Sequence, residues 1–181
     1  MTSTLILGGI RSGKSRLAEE QVRQAQAGQS ASVVYVATGE AGDEEMARRI
    51  RQHQARRPRD WGLVEAPVEL AAVLGAHAAP NSLLLIDCMS LWLSNLLHAG
   101  DEVFARERAA FLDTLSGFPG QVVVVSNEVG LGTIAMDALT RRYCDELGWL
   151  NQDLAACSDT VMMSVAGLPL VLKQQPEAGR A

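Results

Sequence analysis

Runs of aliphatic residues alternate along this chain with segments in which apolar residues recur every three or four positions. The unbroken apolar runs predict strands buried on both faces, because a strand with one wet face would alternate apolar and polar residues. The predicted core strands cover residues 4–7, 32–37, 82–86 and 121–126. Two closing strands are predicted at 160–165 and 168–172, around a turn marked by Gly167 and Pro169.

The segments with helical spacing predict the helices that connect these strands. They cover residues 15–27, 44–57, 67–77, 90–98, 101–116 and 135–156. Pro67 is expected in the first turn of its helix, where the missing N–H of a proline costs no hydrogen bond. The buried side of the last helix is predicted to consist of Leu139, Tyr143, Leu147, Leu150 and Leu154.

Buried strands that alternate with helices are typical of an α/β fold, with a mostly parallel sheet and helices on both faces. The length of 181 residues fits one domain. Neither an internal repeat nor a linker composition divides the chain. We therefore predict a single domain over residues 1–173, followed by a disordered tail at 174–181.

Composition argues against several functional classes. The net charge of −5, without a long block of one sign, is not typical of a general nucleic-acid surface. No apolar stretch reaches the roughly 20 residues that span a bilayer, and the N-terminus lacks the pattern of a secretion signal. The three cysteines lie far apart, which predicts neither a disulfide framework nor a zinc site. We expect a cytoplasmic protein with no nucleic-acid partner and no stable membrane insertion.

The segment GGIRSGKS at 8–15 has the G-x-x-x-x-G-K-S spacing of a phosphate-binding loop, between a predicted strand and a predicted helix. Its glycines allow the backbone to curl so that N–H groups face the phosphates, and Lys14 can reach the β- and γ-phosphates. Ser15 is the expected Mg²⁺ ligand of the loop. The predicted nucleotide-binding residues here are Gly8, Gly9, Ile10, Arg11, Ser12, Gly13, Lys14 and Ser15. The sequence therefore predicts a nucleoside triphosphate site with Lys14 as a catalytic residue.

An acidic residue at the end of a core strand is the second part expected of such a site. The run LLLID ends at Asp87, which predicts a contact with Mg²⁺ or with the substrate. An aspartate after a strand also often serves as a turn or capping residue. The sequence alone leaves both interpretations open.

The predicted helix at 44–57 carries a histidine among arginines. Met46, Ile50 and His53 share one face of this helix. The arginines that flank the histidine are Arg49, Arg56 and Arg57. In one interpretation, His53 is a half-buried structural residue beside a solvated face. In the other, the arginines disfavour the protonated ring, and the neutral imidazole attacks a phosphorus atom and carries a nucleotidyl group.

With these motifs in this order, the chain resembles one known family, the bifunctional adenosylcobinamide kinase / adenosylcobinamide-phosphate guanylyltransferases of cobalamin biosynthesis. The resemblance covers nearly the whole chain. It depends on GGIRSGKS at 8–15, YVATG at 35–39, DEEMARRIRQHQARRP at 43–58, LLLIDCMSLWLSNLL at 83–97, VSNEVGLG at 125–132 and the segment at 141–173. It implies a P-loop NTPase fold of the RecA-like type, a three-layer sandwich.

The resemblance also implies two reactions. Adenosylcobinamide, a corrinoid, receives the γ-phosphate of ATP or GTP on a primary hydroxyl, and its phosphate then receives GMP from GTP with release of pyrophosphate. The family carries GMP on a histidine that corresponds to His53, and it requires Mg²⁺, with Ser15 and Asp87 as the implied ligands. The implied nucleotide contacts outside the loop are Ala37, Thr38, Gly39, Gln54, Ala55, Arg56, Arg57, Glu65 and Asp87. A homo-oligomer, such as a trimer, is implied as well.

One segment departs from the family pattern. After N-E-V-G-x-G many relatives continue with Ile-Val-Pro, whereas residues 133–136 here are Thr-Ile-Ala-Met. The departure concerns the following helix or the corrinoid contact and leaves the phosphate loop intact. Two alternatives remain open from the residues: a P-loop kinase of another small molecule with a structural His53, and a nucleotide-binding switch. The switch lacks its usual base-specificity motif, because NEVG at 127–130 is not N-K-x-D.

Overall fold

The computed structural model of this chain describes residues 2–27, 31–40, 44, 48, 58 and 60–175. Within these residues, seven strands form one sheet. The strands are β1 (Thr2–Gly8), β2 (Ser32–Ala37), β3 (Gly62–Glu65), β4 (Ser82–Asp87), β5 (Gln121–Asn127), β6 (Thr160–Val165) and β7 (Leu168–Gln174). The helices of the described part are α1 (Lys14–Gln26), α2 (Leu70–Ala76), α3 (Met89–Ala99), α4 (Asp101–Ser116) and α5 (Ala138–Cys157).

The strand order across the sheet is β3-β2-β4-β5-β1-β6-β7. Every neighbouring pair is parallel except the last, in which β7 turns back along β6. Ala166 and Gly167 connect that last pair, both with positive φ, which is the backbone of a tight turn between antiparallel strands. The mostly parallel sheet predicted from the sequence is confirmed.

The side chains of the central strands point alternately to two apolar layers. Val123 and Val125 of β5 pack in the cluster that contains Leu17 and Val22 of α1. The neighbouring Val122 and Val124 belong to the cluster formed with α2, α3, α4 and α5. Helices therefore cover both faces, as the unbroken apolar strands predict. The result is a three-layer sandwich whose sheet is buried except at its edges.

β3 was not predicted from the sequence. Its apolar part consists of only Leu63 and Val64, and Leu63 is 40% exposed, so neither periodicity nor composition distinguishes it from a loop. It is a strand because it pairs in parallel with β2, from Val34 opposite Gly62 to Ala37 opposite Glu65. Tertiary pairing, rather than the local sequence, determines this element.

The helix predicted from residue 67 begins only at Leu70, so the placement of Pro67 in its first turn was wrong. The Pro67 carbonyl accepts a hydrogen bond from Asn95 at 3.0 Å, and the Val68 carbonyl accepts one from the Trp92 ring at 2.7 Å. Both donors are in α3. These contacts hold the segment before α2 against α3.

The last helix was predicted to start near residue 135 but starts at Ala138. Asp137 is its N-cap, and the Asp137 carboxylate accepts the Thr140 N–H at 2.8 Å. Leu147, Leu150 and Leu154 are fully buried as predicted, whereas Leu139 is 61% exposed and was wrongly assigned to the buried side. Leu139 lies in the first turn, which extends beyond the core.

Two predictions concern residues that the structure describes only in part: the helix at 44–57 and the C-terminal tail. The helix at 44–57 lies outside the described residues, apart from Glu44 and Arg48, which are helical. At the C-terminus, β7 continues to Gln174, and the Gln175 N–H donates to the Asp159 carbonyl at 2.9 Å. Residues 176–181 lie outside the described part, so the tail and the domain limits stay predictions.

The cap of α5 gives a pH-dependent prediction. Hydrogen bonds from the Thr140 backbone and side chain hold the pKa of Asp137 below its ordinary value. A depressed carboxyl pKa contributes stability above the unfolded pKa, and this stability is lost as the pH falls through the folded pKa. We therefore expect Asp137→Ala to lower the denaturation midpoint at about pH 7, with a difference from the wild type that shrinks towards about pH 3.5.

The control is Asp113→Ala, at an exposed position of α4 without a capping role. Its midpoint should follow that of the wild type at every pH. A deficit of Asp137→Ala that stays constant on acidification would contradict the assignment of the cap to the ionised carboxylate.

Candidate nucleotide site

The phosphate loop lies between β1 and α1, as its motif requires. Arg11 and Gly13 have φ of 57° and 95°. The loop closes on itself through Ser12 N–H to the Gly9 carbonyl at 3.2 Å, and Leu17 N–H to the Gly13 carbonyl at 3.0 Å begins the helix. A backbone that curls in this way presents N–H groups to an anion, and the N-terminus of α1 adds a favourable dipole.

The turn between β6 and β7 supports this loop. The Ser12 carbonyl accepts the Gly167 N–H and the Ser164 hydroxyl, each at 2.8 Å. A Cβ on Gly8 would lie 2.8 Å from the Ser164 carbonyl oxygen, and one on Gly13 would lie 3.1 Å from Gly167 Cα. These two glycines are therefore needed for close approach to the hairpin. Ser164 and Gly167 were missed from the sequence, where Gly167 indicates only a turn.

The polar side chains of the loop are arranged around its concave backbone. Lys14 Nζ donates to the Gly9 carbonyl at 3.2 Å, so the side chain folds over the loop. Ser12 Oγ is buried and has no hydrogen-bond partner among the described residues. Ser15 lies half-buried in the first turn of α1. Ile10 and Arg11 are exposed at the tip.

The strand register brings the other predicted residues to the same edge. Ala37 is opposite both Glu65 of β3 and Asp87 of β4. The carboxyl ends of these parallel strands lie along the same side of the sheet as the phosphate loop, and this side is the edge meant here. Glu65 is exposed there and Asp87 is half-buried. In open α/β sheets, ligands bind outside the carboxyl ends of the strands. The predicted contacts at 8–15, 37–39, 65 and 87 thus share one edge of the sheet.

Thr38 joins two of these strands. Its hydroxyl donates to the Cys88 carbonyl at 2.7 Å and accepts the Cys88 N–H at 2.8 Å, and Asn95 donates to the Thr38 carbonyl at 2.8 Å. Thr38 is fully buried. Because its side chain is engaged in these bonds, the predicted nucleotide contact of segment 37–39 would have to use its backbone or Gly39.

The charges of Asp87 and of the lysine of the phosphate loop both act on one buried thiol. Burial and the neighbouring Asp87 carboxylate raise the pKa of the Cys88 thiol, while Lys14 acts in the opposite direction. The charges of both Asp87 and Lys14 therefore reach the same sulfur. The Asp87 carboxylate also accepts the Tyr35 hydroxyl at 3.1 Å through Oδ2. The loop cation and the strand-end carboxylate are therefore both within electrostatic range of Cys88.

The donor set fits Mg²⁺. Ser15 and Asp87 offer a hydroxyl and a carboxylate oxygen, which are hard ligands of the kind Mg²⁺ prefers. Among the described residues, no group of three or more His, Cys, Asp or Glu side chains could hold a metal ion. Mg²⁺ is usually held by one or two carboxylates together with substrate phosphates and water, rather than by an all-protein cage.

A buried polar network that the sequence did not reveal extends from the site into the helices. Ser90 Oγ lies 3.0 Å from Cys88 Sγ and accepts the Asn127 amide at 2.8 Å, and Asn151 of α5 donates to the Asn127 carbonyl at 3.0 Å. Tyr143 donates to the Ser90 carbonyl at 3.3 Å. The segments at 87–95 and 127–130 therefore contain residues that join β4, β5, α3 and α5.

An exposed apolar segment follows this network. Leu131, Ile134 and Met136 are 78%, 85% and 97% exposed. The segment follows Glu128, whose N–H donates to the Gly8 carbonyl at 3.1 Å. It includes residues 133–136, where the sequence departs from the family pattern.

The predicted nucleophile and its neighbours are not part of this geometry. His53, Gln54, Ala55, Arg56 and Arg57 lie outside the described residues. Their position relative to the phosphate loop stays a prediction.

A family model described as cobinamide kinase / cobinamide phosphate guanyltransferase matches residues 4–172. The chain belongs to this family. The bifunctional adenosylcobalamin biosynthesis protein CobP of Pseudomonas aeruginosa is 50% identical over 173 residues, which cover 95% of this chain and 98% of that protein. The proteins of the same description named CobU from Escherichia coli and Salmonella typhimurium are 36% and 37% identical, each over 93% of this chain and 98% of the relative.

This membership confirms the prediction of a bifunctional kinase and guanylyltransferase family of cobalamin biosynthesis over the two alternatives. In solved structures, a KaiC-like protein from Pyrococcus horikoshii OT3 superposes with a TM-score of 0.53 at 14% identity, over 90% of this chain and 70% of that one. This similarity concerns the fold alone, and it confirms the predicted RecA-like class. In the part of this chain that the structure describes, no helix is long and apolar enough to cross a membrane.

The close approach of the loop to the hairpin gives a second prediction. In Gly8→Ala the new Cβ would meet Ser12 Oγ at 2.4 Å and the Ser164 carbonyl oxygen at 2.8 Å. The serine side chain can rotate, but the backbone carbonyl of β6 cannot move without disturbing the sheet. We expect Gly8→Ala to lower the free energy of unfolding by about 1–3 kcal/mol in denaturant titrations.

Gly9→Ala is the matched control, because a Cβ there has no atom within 4 Å among the described residues. Its free energy of unfolding should stay within about 0.5 kcal/mol of the wild type. Equal losses in the two variants would show that the hairpin does not constrain the loop.

Proposed function

We propose that this chain phosphorylates adenosylcobinamide with ATP or GTP, and then transfers GMP from GTP to adenosylcobinamide phosphate. Membership of the cobinamide kinase / cobinamide phosphate guanyltransferase family supports both activities. The observation that carries the proposal is the meeting of the phosphate loop, segment 37–39 and Asp87 at one edge of the sheet. One triphosphate site at this edge serves both reactions.

In the kinase step, the primary hydroxyl of the corrinoid attacks the γ-phosphorus. The bond from that phosphorus to the β–γ bridging oxygen breaks, and a nucleoside diphosphate leaves. Lys14 exchanges its present contact with the Gly9 carbonyl for the phosphate oxygens, and the loop N–H groups bind the same oxygens. The loop N–H groups are already in place, so they stabilise the charge that develops there without reorganisation.

In the transferase step, a ring nitrogen of His53 attacks the α-phosphorus of GTP and pyrophosphate leaves. The phosphate of the corrinoid then attacks the guanylyl-histidine, which yields adenosylcobinamide-GDP and restores the imidazole. The arginines at 49, 56 and 57 bring the segment of His53 to the phosphates and offset their charge. Gln54, Ala55, Arg56, Arg57 and Glu65 complete the proposed nucleotide contacts.

Mg²⁺ belongs to the same proposal. Ser15 and Asp87 would hold the ion, which would neutralise charge on the phosphate oxygens during both transfers. Asp87 is half-buried at the end of β4, at the same end of the sheet as the phosphate loop.

The surface supports two further parts of the proposal. The exposed apolar residues at 131–136 follow Glu128, which contacts the phosphate loop, and they form the contact surface for the corrinoid. β7 is an edge strand with exposed apolar side chains, among them Leu168 and Leu172 at 71% and 55%. Such an edge is a site for association with another chain, which supports a homo-oligomer, such as a trimer. We propose a cytoplasmic location and no nucleic-acid partner.

The covalent intermediate is tested with GTP labelled at the α-phosphate. Purified protein is incubated with labelled GTP and Mg²⁺, denatured, and examined for label that is acid-labile and alkali-stable. We expect this label in the wild type and none in His53→Ala, because a phosphorus–nitrogen bond to His53 would retain the α-phosphate. GTP labelled at the γ-phosphate should leave no label on either protein.

The two other histidines of the chain provide matched controls. His98 lies exposed in the last turn of α3 with its Nδ1 2.7 Å from the Ser94 carbonyl, and His77 ends α2. His98→Ala and His77→Ala should retain the α-label. A wild type that binds GTP but acquires no α-label would contradict the histidine route and favour a kinase without a covalent intermediate.

A further inference from the structure

A buried tyrosine holds the carboxylate at the end of β4. Tyr35 of β2 is 7% exposed, and its hydroxyl donates to Asp87 Oδ2 at 3.1 Å. The register places Tyr35 opposite Leu85 and Ala37 opposite Asp87. Because side chains alternate along strands, Tyr35, Leu85 and Asp87 point to the same face, the one covered by α1. The phenol reaches along this face to the carboxylate two positions further on.

The hydroxyl is an unusual choice for this position. The Tyr35 ring packs in an apolar cluster with Val33, Leu83, Leu85 and Leu17, where a phenylalanine would fill almost the same volume. A hydroxyl in such surroundings is costly unless it is hydrogen-bonded. Its bond to Asp87 therefore needs an explanation in terms of what Asp87 does.

The phenol is a permanent donor at neutral pH. A tyrosine phenol keeps its proton at neutral pH and can donate it in a hydrogen bond. The Asp87 carboxylate therefore receives a hydrogen bond from this hydroxyl. The ring is rigidly packed on a central strand, so the direction of this bond is fixed.

We infer that Tyr35 is a positioning residue that orients the Asp87 carboxylate towards the bound nucleotide and its Mg²⁺. Tyr35 fixes Oδ2 of the carboxylate. A half-buried aspartate at a strand end would otherwise rotate among several conformers. This inference rests on the proposed role of Asp87 in holding Mg²⁺.

Tyr35 acts through a group that both reactions share. Loss of its hydroxyl should therefore weaken γ-phosphate transfer and GMP transfer in the same proportion. A residue that contacted only the corrinoid or only His53 would affect one reaction more than the other.

The test uses Tyr35→Phe, with Mn²⁺ as a spectroscopic substitute for Mg²⁺. Binding of Mn²⁺ to the protein is measured by electron paramagnetic resonance in the presence of the α,β-methylene analogue of GTP, which cannot release pyrophosphate, so the readout does not depend on turnover. We expect the affinity for Mn²⁺ to fall by about tenfold, the scale of one hydrogen bond to a charged group. The affinity for GTP in EDTA and the thermal unfolding midpoint should stay close to those of the wild type.

Tyr143→Phe is the matched control, since the chain has two tyrosines. The Tyr143 hydroxyl is also partly buried, with burial raising its pKa to about 12, but it donates to the Ser90 carbonyl rather than to a carboxylate. Its loss should leave the Mn²⁺ affinity unchanged. An equal fall in both variants would overturn the inference, and so would a Tyr35→Phe variant that loses only thermal stability.

Asp87→Asn and the double variant separate this inference from the proposed function. If Asp87→Asn weakens Mn²⁺ binding and Tyr35→Phe adds nothing to it, then Tyr35 acts through Asp87, as inferred. If Asp87→Asn weakens binding while Tyr35→Phe alone has no effect, the inference fails and the metal role of Asp87 stands. If Asp87→Asn has no effect, both fail, while α-labelling of His53 still reports on GMP transfer.

Discussion

The nucleotide site depends on the contact between the phosphate loop and the turn that joins β6 to β7. The Ser12 carbonyl accepts two hydrogen bonds from that hairpin, and Gly8 and Gly13 lack side chains where the two backbones approach. A loop ordered only by its ligand would lose conformational entropy on binding. Here the hairpin orders the loop in advance, so more of the interaction free energy remains for the phosphates. The antiparallel end of the sheet thus contributes to a site whose motif lies on a parallel strand.

The parallel register then determines which residues meet the loop. Because β2, β4 and β5 pair in parallel through their apolar residues, their carboxyl ends lie side by side. The polar groups of the site lie where these strands end. Thr38, Ser90 and Asn127 are each hydrogen-bonded to another element. Because an unpaired buried polar group is costly, these bonds limit the relative positions of β2, β4, β5 and α3. The hydrogen bonds that join the carboxyl ends of these strands therefore also fix the position of Asp87, since Thr38 binds the backbone of the next residue, Cys88.

Much of this arrangement is local in the sequence, and that part was predicted. The phosphate loop, the core strands and Asp87 are each recognisable within a few residues. What was missed depends on pairs that are far apart in the chain: Tyr35 with Asp87, separated by 52 residues, and Ser164 with Ser12, separated by 152. No spacing rule connects such residues before the register is known. β3 and the start of α2 were missed for the same reason. β3 is a strand because it pairs with β2, and α2 starts late because α3 binds the residues that precede it.

The arrangement also indicates where the choice between the two reactions lies. In the proposed mechanism, Lys14, the loop N–H groups and the Mg²⁺ held by Asp87 would stabilise charge on phosphate oxygens, and none of them distinguishes attack at the α-phosphorus from attack at the γ-phosphorus. In the proposed mechanism the distinction comes from the nucleophile: the hydroxyl of the corrinoid for one reaction and His53 for the other. The exposed apolar segment at 131–136 follows Glu128, whose N–H donates to the Gly8 carbonyl. Because Asn127 at the end of β5 is opposite Gly8, a corrinoid bound to that segment would be held at the same end of the sheet as the phosphate loop.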